Sequence, residues 1–444
     1  MKRLVTLMLA AMMTLSMVAT ASALEVNVKG NFHFSFRWSD KIGAGAEFME
    51  GPEDNFLARQ RIRLQVEFVA SENLKGVLFL HSGNIFWGND DQGGALDTTK
   101  NTLKVRHAYI DWNVPDTGLN VKMGLQQVTS PGFAAGSTFT NDAMAGVTLA
   151  NTFNDNVTAS LGWYRLYDDN TKVKDSVDMF MLMVPLTFDG IKITPWGEYT
   201  FIGRDAAMIW QGGNVEKKSK MYHIGVATEF NPIDPLTIAF DATYGAVSAS
   251  GDDPEAEGFM LVGRVYYDVD FAKLQLGAWY ASGNDKKDVE KDEFGLMPNL
   301  LASTGNADPG FNMTGFGFWG NNTPLAGAGV ISNSGMGTWG VMIGMKDLSF
   351  VTDLSHEVRL AYYEGTSDKE TRGQKYGDKF NVFMTEDDSA FEINFDTKYQ
   401  IAKGFSVSLD TGIVFMDWQS SYEKANKDLD DTMWRVVFGV QYAF

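Results

Sequence analysis

The twelve residues Met433 to Phe444, MWRVVFGVQYAF, constrain this chain more than any other stretch. Trp434, Val436, Phe438, Val440, Tyr442 and Phe444 fall on one face of an extended segment. Met433, Arg435, Gly439, Gln441 and Ala443 fall on the other, and only Val437 breaks the alternation. A strand apolar on one face, aromatic towards both ends and finishing on Phe suits the closing strand of a membrane β-barrel. Its partner is visible at the other end. Val26 to Trp38 sets Val26, Val28, Phe32, Phe34, Phe36 and Trp38 against Asn27, Lys29, Asn31, His33, Ser35 and Arg37. Pairing the two would remove both sheet edges, as a bilayer requires.

Between them the sequence gives about eighteen strand-like runs. In order they start near Val26, Ala58, Lys75, Leu103, Leu119, Ala145, Asn156, Ser176, Ile191, Met221, Leu236, Gly258, Ala272, Gly337, Ser355, Ser389, Phe405 and Met433. Most match the roughly 9 to 11 residues that cross a bilayer at a tilt. Ala145 to Thr152 is the weakest run, so periodicity leaves the count at 16 to 18, with 18 favoured.

The connections alternate in length. Short ones carry turn residues: Ser71 to Leu74, Pro115 to Gly118, Asp189-Gly190, Pro232 to Pro235, Thr352 to Leu354 and Ala402 to Gly404. Long polar stretches lie between them, among them Val128 to Met144 and, longest of all, Gly283 to Met336. Short periplasmic turns and long extracellular loops characterise outer-membrane barrels, whereas a soluble sandwich has no use for the asymmetry. The fold class expected is all-β, a transmembrane antiparallel β-barrel. The longest loop, whose Gly315 to Gly320 stretch is rich in Gly and aromatics, is expected to pack over the barrel mouth or on a neighbouring subunit. Trp38, Trp112, Trp163, Trp279, Trp339, Trp418 and Trp434 sit near run boundaries and suit interfacial girdles.

Residues 1 to 23 read as a secretory signal, with Lys2 and Arg3, an apolar Leu4 to Val18 and a small-residue site at Ala21-Ser22-Ala23. Residues 24–444 then form one barrel domain. Removing Lys2 and Arg3 from 37 basic residues leaves 35 against 56 acidic, a net charge of −21. That sign excludes nucleic acid as a partner. The chain has no Cys, so disulfides do not hold it.

Chemistry-bearing residues are few. His33, His81, His107, His223 and His356 stand on separate runs, and no Gly-x-Ser-x-Gly elbow occurs, so the sequence points away from an enzyme. No cofactor is expected. Acid clusters at Asp252, Asp253, Glu255 and Glu257 and at Asp428, Asp430 and Asp431 have the ligand type for calcium but match no defined calcium loop. A solvated acidic surface accounts for them better. Arg59, Arg61 and Arg63 share one face of their run, with Ile62, Leu64, Val66 and Phe68 on the other. Three guanidiniums facing lipid would cost roughly 2 to 4 kcal/mol each at the midplane, so they are expected to line the lumen.

The run Arg106-His107-Ala108-Tyr109-Ile110, followed by Val121-Lys122-Met123-Gly124-Leu125-Gln126, resembles the Gram-negative trimeric porins. Those carry Arg-x-Ala-Tyr, a short turn and a strand ending Gly-Arg-Gln before a loop that folds into the pore. Leu125 stands where they have Arg. Together with the signal, the first strand and Phe444, the whole mature chain is most similar to the homotrimeric porins of sulfate-reducing bacteria. The resemblance implies a trimer in outer-membrane lipid and lipopolysaccharide, passing small hydrophilic solutes and ions by passive diffusion. It assigns Arg59, Arg61, Arg63 and Arg106 to the basic wall of a constriction. Val128 to Met144, with Ser130, Pro131, Phe133 and its one acid Asp142, becomes the inserted loop, and Phe444 an assembly signal. The constriction is expected to lean towards anions despite the net charge. The rival reading is a substrate-specific channel for small carboxylates, oxyanions or sugars.

Overall fold

The computed structural model describes residues 24–40, 55–95, 100, 103–137, 139–168, 176–203, 218–249, 255–289, 293–298, 306–307, 337–371, 375–376, 380–381, 384–418 and 432–444. Eighteen antiparallel strands form one closed sheet. They are β1 (Glu25–Ser39), β2 (Asn55–Ser71), β3 (Leu74–Phe86), β4 (Lys104–Asn113), β5 (Leu119–Thr129) and β6 (Asn141–Asn154). Then come β7 (Val157–Tyr167), β8 (Val177–Met183, resuming at Leu186–Phe188), β9 (Ile191–Ile202), β10 (Ser219–Ile233), β11 (Leu236–Ala249) and β12 (Glu255–Val269). The last six are β13 (Ala272–Ala281), β14 (Thr338–Val351), β15 (Leu354–Gly365), β16 (Ser389–Ala402), β17 (Phe405–Asp417) and β18 (Thr432–Ala443).

Each strand pairs with its sequence neighbours, and β18 returns to β1 in the register Phe32↔Tyr442, Phe34↔Val440, Phe36↔Phe438. The weak run at Ala145 is a full 14-residue strand, β6, paired along its length with β5 and β7. Its period is blurred because Ala145 and Asn151 dilute the outward apolar face and Ala150 softens the inward one, but the neighbouring strands supply the hydrogen bonds that hold it extended. The count of eighteen follows.

The turns obey local chemistry. Asp116, Gly190, Asp353 and Gly404 take φ of 60, 68, 63 and 74°, the left-handed conformations that Asp and Gly adopt with least strain. No helix among the described residues is long and apolar enough to cross a membrane. The outward face carries instead a continuous apolar belt, including Leu161, Ile224, Leu276 and Ile343, all exposed. A closed barrel with such a belt satisfies its backbone internally and presents apolar surface to lipid.

Inward faces are polar and largely covered, and two of the seven tryptophans depart from the girdle expectation. Trp279 and Trp418 are buried, and Trp279 donates its indole N–H to Thr338 Oγ1 at 3.1 Å beside the Tyr363 ring. Position near a strand end does not fix parity, and Trp279 lies on the inward parity with Gln275. Trp38, Trp112 and Trp163 are exposed on the outer face, and Trp339 and Trp434 are half-buried there.

Candidate functional site: the lumen wall and its inserted loop

A cluster of basic side chains lines one side of the lumen. Arg59, Arg61 and Arg63 stand in register with Ser35, His33 and Asn31 of β1 and with Phe86, Gly83 and His81 of β3. Period-two alternation places all three on one face, as the sequence required. A bulge between Gln60 and Arg61 resets the register, and Gly83 opposite it has φ +156°. A Cβ there would lie 2.8 Å from both Cα and Cγ of Arg61, so only glycine leaves the guanidinium its path. Arg61 Nη2 lies 3.0 Å from His33 Nδ1, and Arg63 Nε donates to His81 Nδ1 at 3.1 Å. Arg cannot accept, so the imidazoles do. Arg59 lies over the Phe86 ring at 5.9 Å.

Arg106 joins this wall: its charge acts on Arg61, Arg63 and His81. It sits at a β3–β4 register shift, where Phe79 pairs with His107 and Leu80 with Val105. Two arginines missed from the sequence extend the cluster, Arg37 on β1 and Arg435 on β18, coupled electrostatically to each other and to Arg59. Both were legible, since each lies on the inward parity of a terminal strand. Leu125 shares the outward face of β5 with Met123, while Gln126 is buried inside.

An acidic stretch adjoins the basic one on β15 to β17. Arg359 Nη1 meets Glu357 Oε1 at 3.0 Å, and its other terminal nitrogen meets Asp396. Glu392 accepts from Asn394 Nδ2 at 2.8 Å and from the Tyr363 hydroxyl at 3.3 Å, and the Ser408 hydroxyl donates to Asp410 at 3.3 Å. Arg435 stands at the seam, feeling both Asp410 and Glu392. Glu67, on the ladder's own strand, and Asp111, on the strand of Arg106, are engaged elsewhere. Glu67 pairs with Lys29 at 3.1 Å and Lys75 at 3.7 Å, and Asp111 accepts from Asn120 at 2.7 Å.

The segment after β5 turns into the barrel. Ser130 ties its neck, donating its N–H to the Thr140 carbonyl at 2.7 Å and accepting the Thr140 N–H on its hydroxyl at 3.2 Å. Pro131 is half-buried, and Phe133 packs on the lumen's apolar cluster. Ala134 and Ala135 have no exposed surface. The tip is latched across the lumen by Asp241 of β11: Phe133 N–H donates to Oδ1 at 2.9 Å, and Ala134 and Ala135 N–H donate to Oδ2 at 2.8 Å each.

Asp142 is placed differently from the expectation. It is the second residue of β6, paired with Val128, and its carboxylate accepts the neighbouring Ala143 N–H at 2.7 Å. The acid that governs the loop is therefore Asp241, more than a hundred residues away in sequence. Its signal was an acid on the inward parity of β11, between Ala239 and Thr243.

The loop from Gly283 also enters. Phe294, Leu296 and Met297 are buried, Glu293–Phe294 pairs in parallel with Glu255 and Ala256, and Asn306–Ala307 pairs with Gly136–Ser137 of the inserted loop. Its expected packing at Phe316 to Trp319 lies outside the described residues, as do Asp252, Asp253, Asp428, Asp430 and Asp431.

No protein-family model and no curated protein matches the sequence. Solved structures do match. Over 94% of this chain and 97% of the other, the barrel superposes on Pseudomonas aeruginosa OpdQ with a TM-score of 0.56 at 10% identity. P. aeruginosa OccD3 (OpdP) gives 0.55 at 13% identity over 96% and 93%, and OccK8 (OprE) gives 0.56 at 10% over 95% and 98%. At such identities the likeness is one of fold, and the fold is that of the Gram-negative outer-membrane porins.

Proposed function

We propose that the protein is an outer-membrane channel for small hydrophilic solutes, with a narrow part that favours anions. The observation that carries this reading is the clustering of Arg37, Arg59, Arg61, Arg63, Arg106 and Arg435 on one lumen wall. The inserted segment contributes a tip of Phe133, Ala134 and Ala135, and its one acid, Asp142, stands at the start of β6 and not at that tip. Charges inside a narrow, low-dielectric passage are screened less than charges on exposed loops, where the Debye length is about 8 Å at physiological salt. The local positive wall then outweighs the global −21. A homotrimer bedded in lipopolysaccharide belongs to the same proposal and rests on the porin resemblance.

Selection of small carboxylates or oxyanions is the second reading. It is favoured by the planar, forked guanidiniums, which match carboxylate geometry bidentately. Liposome swelling separates the two. A general pore admits neutral sugars and carboxylates of equal size at similar rates, and a selective one admits the carboxylates preferentially. The anion preference itself is tested by the reversal potential in a KCl gradient.

A further inference from the structure

A second group of cations lies on the lumen wall away from the arginine ladder, gathered round one phenol ring. Tyr266 of β12 follows the buried Arg264 by two residues and so shares its inward parity. The Arg264 guanidinium carbon lies 5.6 Å from the Tyr266 ring centroid, the Lys273 ammonium of β13 at 5.8 Å and the Lys346 ammonium of β14 at 4.7 Å. Arg264 Nη1 also donates to the Tyr266 hydroxyl at 2.7 Å. Register assembles the group: Tyr266 stands opposite Gln275, and Lys273 stands opposite Asp268 on one side and Lys346 on the other.

Like charges directly opposite in an antiparallel pair are destabilising, and the face of Tyr266 offsets only part of that repulsion. The acids within reach are committed. Asp268 pairs with Lys273 at 3.0 Å. Glu357 is taken by Arg359 at 3.0 Å and by Gln275 at 3.1 Å, and Asp241, whose charge acts on Arg264, accepts three backbone N–H groups of the inserted loop. Lys346 makes no ion pair among the described residues. The group also stands at its own height in the barrel. Arg264 and Tyr266 lie five and three residues before Val269, the short-turn end of β12, whereas Arg63, the ladder residue nearest that mouth, lies eight before Ser71. At roughly 3.3 Å per residue, this is about 10 Å or more of strand closer to the periplasm.

Arg264 is buried, so it acts by fixing the ring and through its charge, while the half-buried Lys273 and Lys346 supply the donors. A planar carboxylate is matched by a guanidinium fork. Two neighbouring ammoniums are point charges with three donors each, and they match a compact anion that carries two charges and oxygens on several sides. We propose that Lys273 and Lys346, set over Tyr266 and backed by Arg264, form a binding station for phosphate-type dianions in the periplasmic half of the lumen, separate from the arginine ladder. Its ligand is inorganic phosphate or the phosphoryl group of a small solute. Arg264 is a positioning residue here.

The inference rests on the channel reading, and one set of recordings separates the two. The full chain is refolded into planar bilayers, with its heat-modifiable gel shift confirmed for every variant, and chloride current is recorded in KCl while inorganic phosphate, held mainly as the dianion, is added to both chambers. The phosphate concentration that halves the current is read for the wild type, for Lys273→Gln with Lys346→Gln, and for Lys346→Arg. Glutamine removes the like-charge pair from the β13–β14 seam, and arginine keeps the charge. We expect the double glutamine variant to need about tenfold more phosphate, the size of one lost charge-assisted hydrogen bond, and Lys346→Arg to stay near the wild type. Acetate should block the wild type far less than phosphate at equal concentration. A wild type that phosphate does not block, or a double variant blocked at the wild-type concentration, overturns the station, and acetate blocking as well as phosphate overturns its ligand class. Folded protein with no conductance in any variant overturns the channel reading instead.

Discussion

The backbone N–H of Gly30 donates to the carbonyl of Phe444 at 3.0 Å, and the Phe444 N–H returns the bond to the Gly30 carbonyl at 3.0 Å. This exchange is the last rung of the β1–β18 seam. The Phe444 ring packs near Phe32 and Tyr442, with centroids 6.2 and 5.8 Å away. A Cβ on Gly30 would lie 2.6 Å from the Arg63 carbonyl and 2.9 Å from Phe444 Cζ. Deleting Phe444, or substituting Gly30→Val, is therefore expected to reduce the heat-modifiable folded form in the membrane fraction. Assembly at the wild-type level in both variants would show that closure does not depend on this rung.

Charge on the lumen wall should decide ion preference. Arg61 is 4% exposed, in a wall where the neighbouring guanidiniums repel it. With Arg61→Ser and Arg63→Ser combined, the chloride preference expected of the wild type in a KCl gradient should fall. A cation-selective wild type whose reversal potential ignores both substitutions would assign permeation to the acidic loops and leave the ladder a structural role.

The latch at Asp241 carries three donors on two oxygens, so its replacement should loosen the inserted tip while leaving the barrel closed. Leaving covered N–H groups unpaired costs about 1 to 3 kcal/mol each. Asp241→Ala should thus accelerate amide hydrogen exchange in the peptide containing Phe133, Ala134 and Ala135 and raise open-channel noise. Exchange as slow as in the wild type would mean that packing alone holds the tip.

Leu276 lies mid-strand on β13, 54% exposed on the outer face, where the fold requires lipid. Leu276→Arg should destabilise the barrel by roughly 2 to 4 kcal/mol if that position is near the bilayer midplane. Equilibrium unfolding in phospholipid vesicles measures it. A neutral effect would place this face against protein or water.

The sequence by itself determined the class of fold, most of the strands nearly to their ends, the closing pair and the inward facing of Arg59, Arg61 and Arg63, and left the count between 16 and 18. These follow from local rules: alternation with period two, turn residues at fixed places, and the cost of charge in lipid. Only the tertiary structure decided what fills the lumen. Asp241, Glu198 and His223 look like isolated polar residues on separate strands, and their partners Ala134, Thr140 and Pro298 lie 107, 58 and 75 positions away. Parity tells which side of the sheet a residue faces. Which loop comes down to meet it depends on the closure of the whole barrel, because only the closed ring brings β5's loop across to β9, β10 and β11.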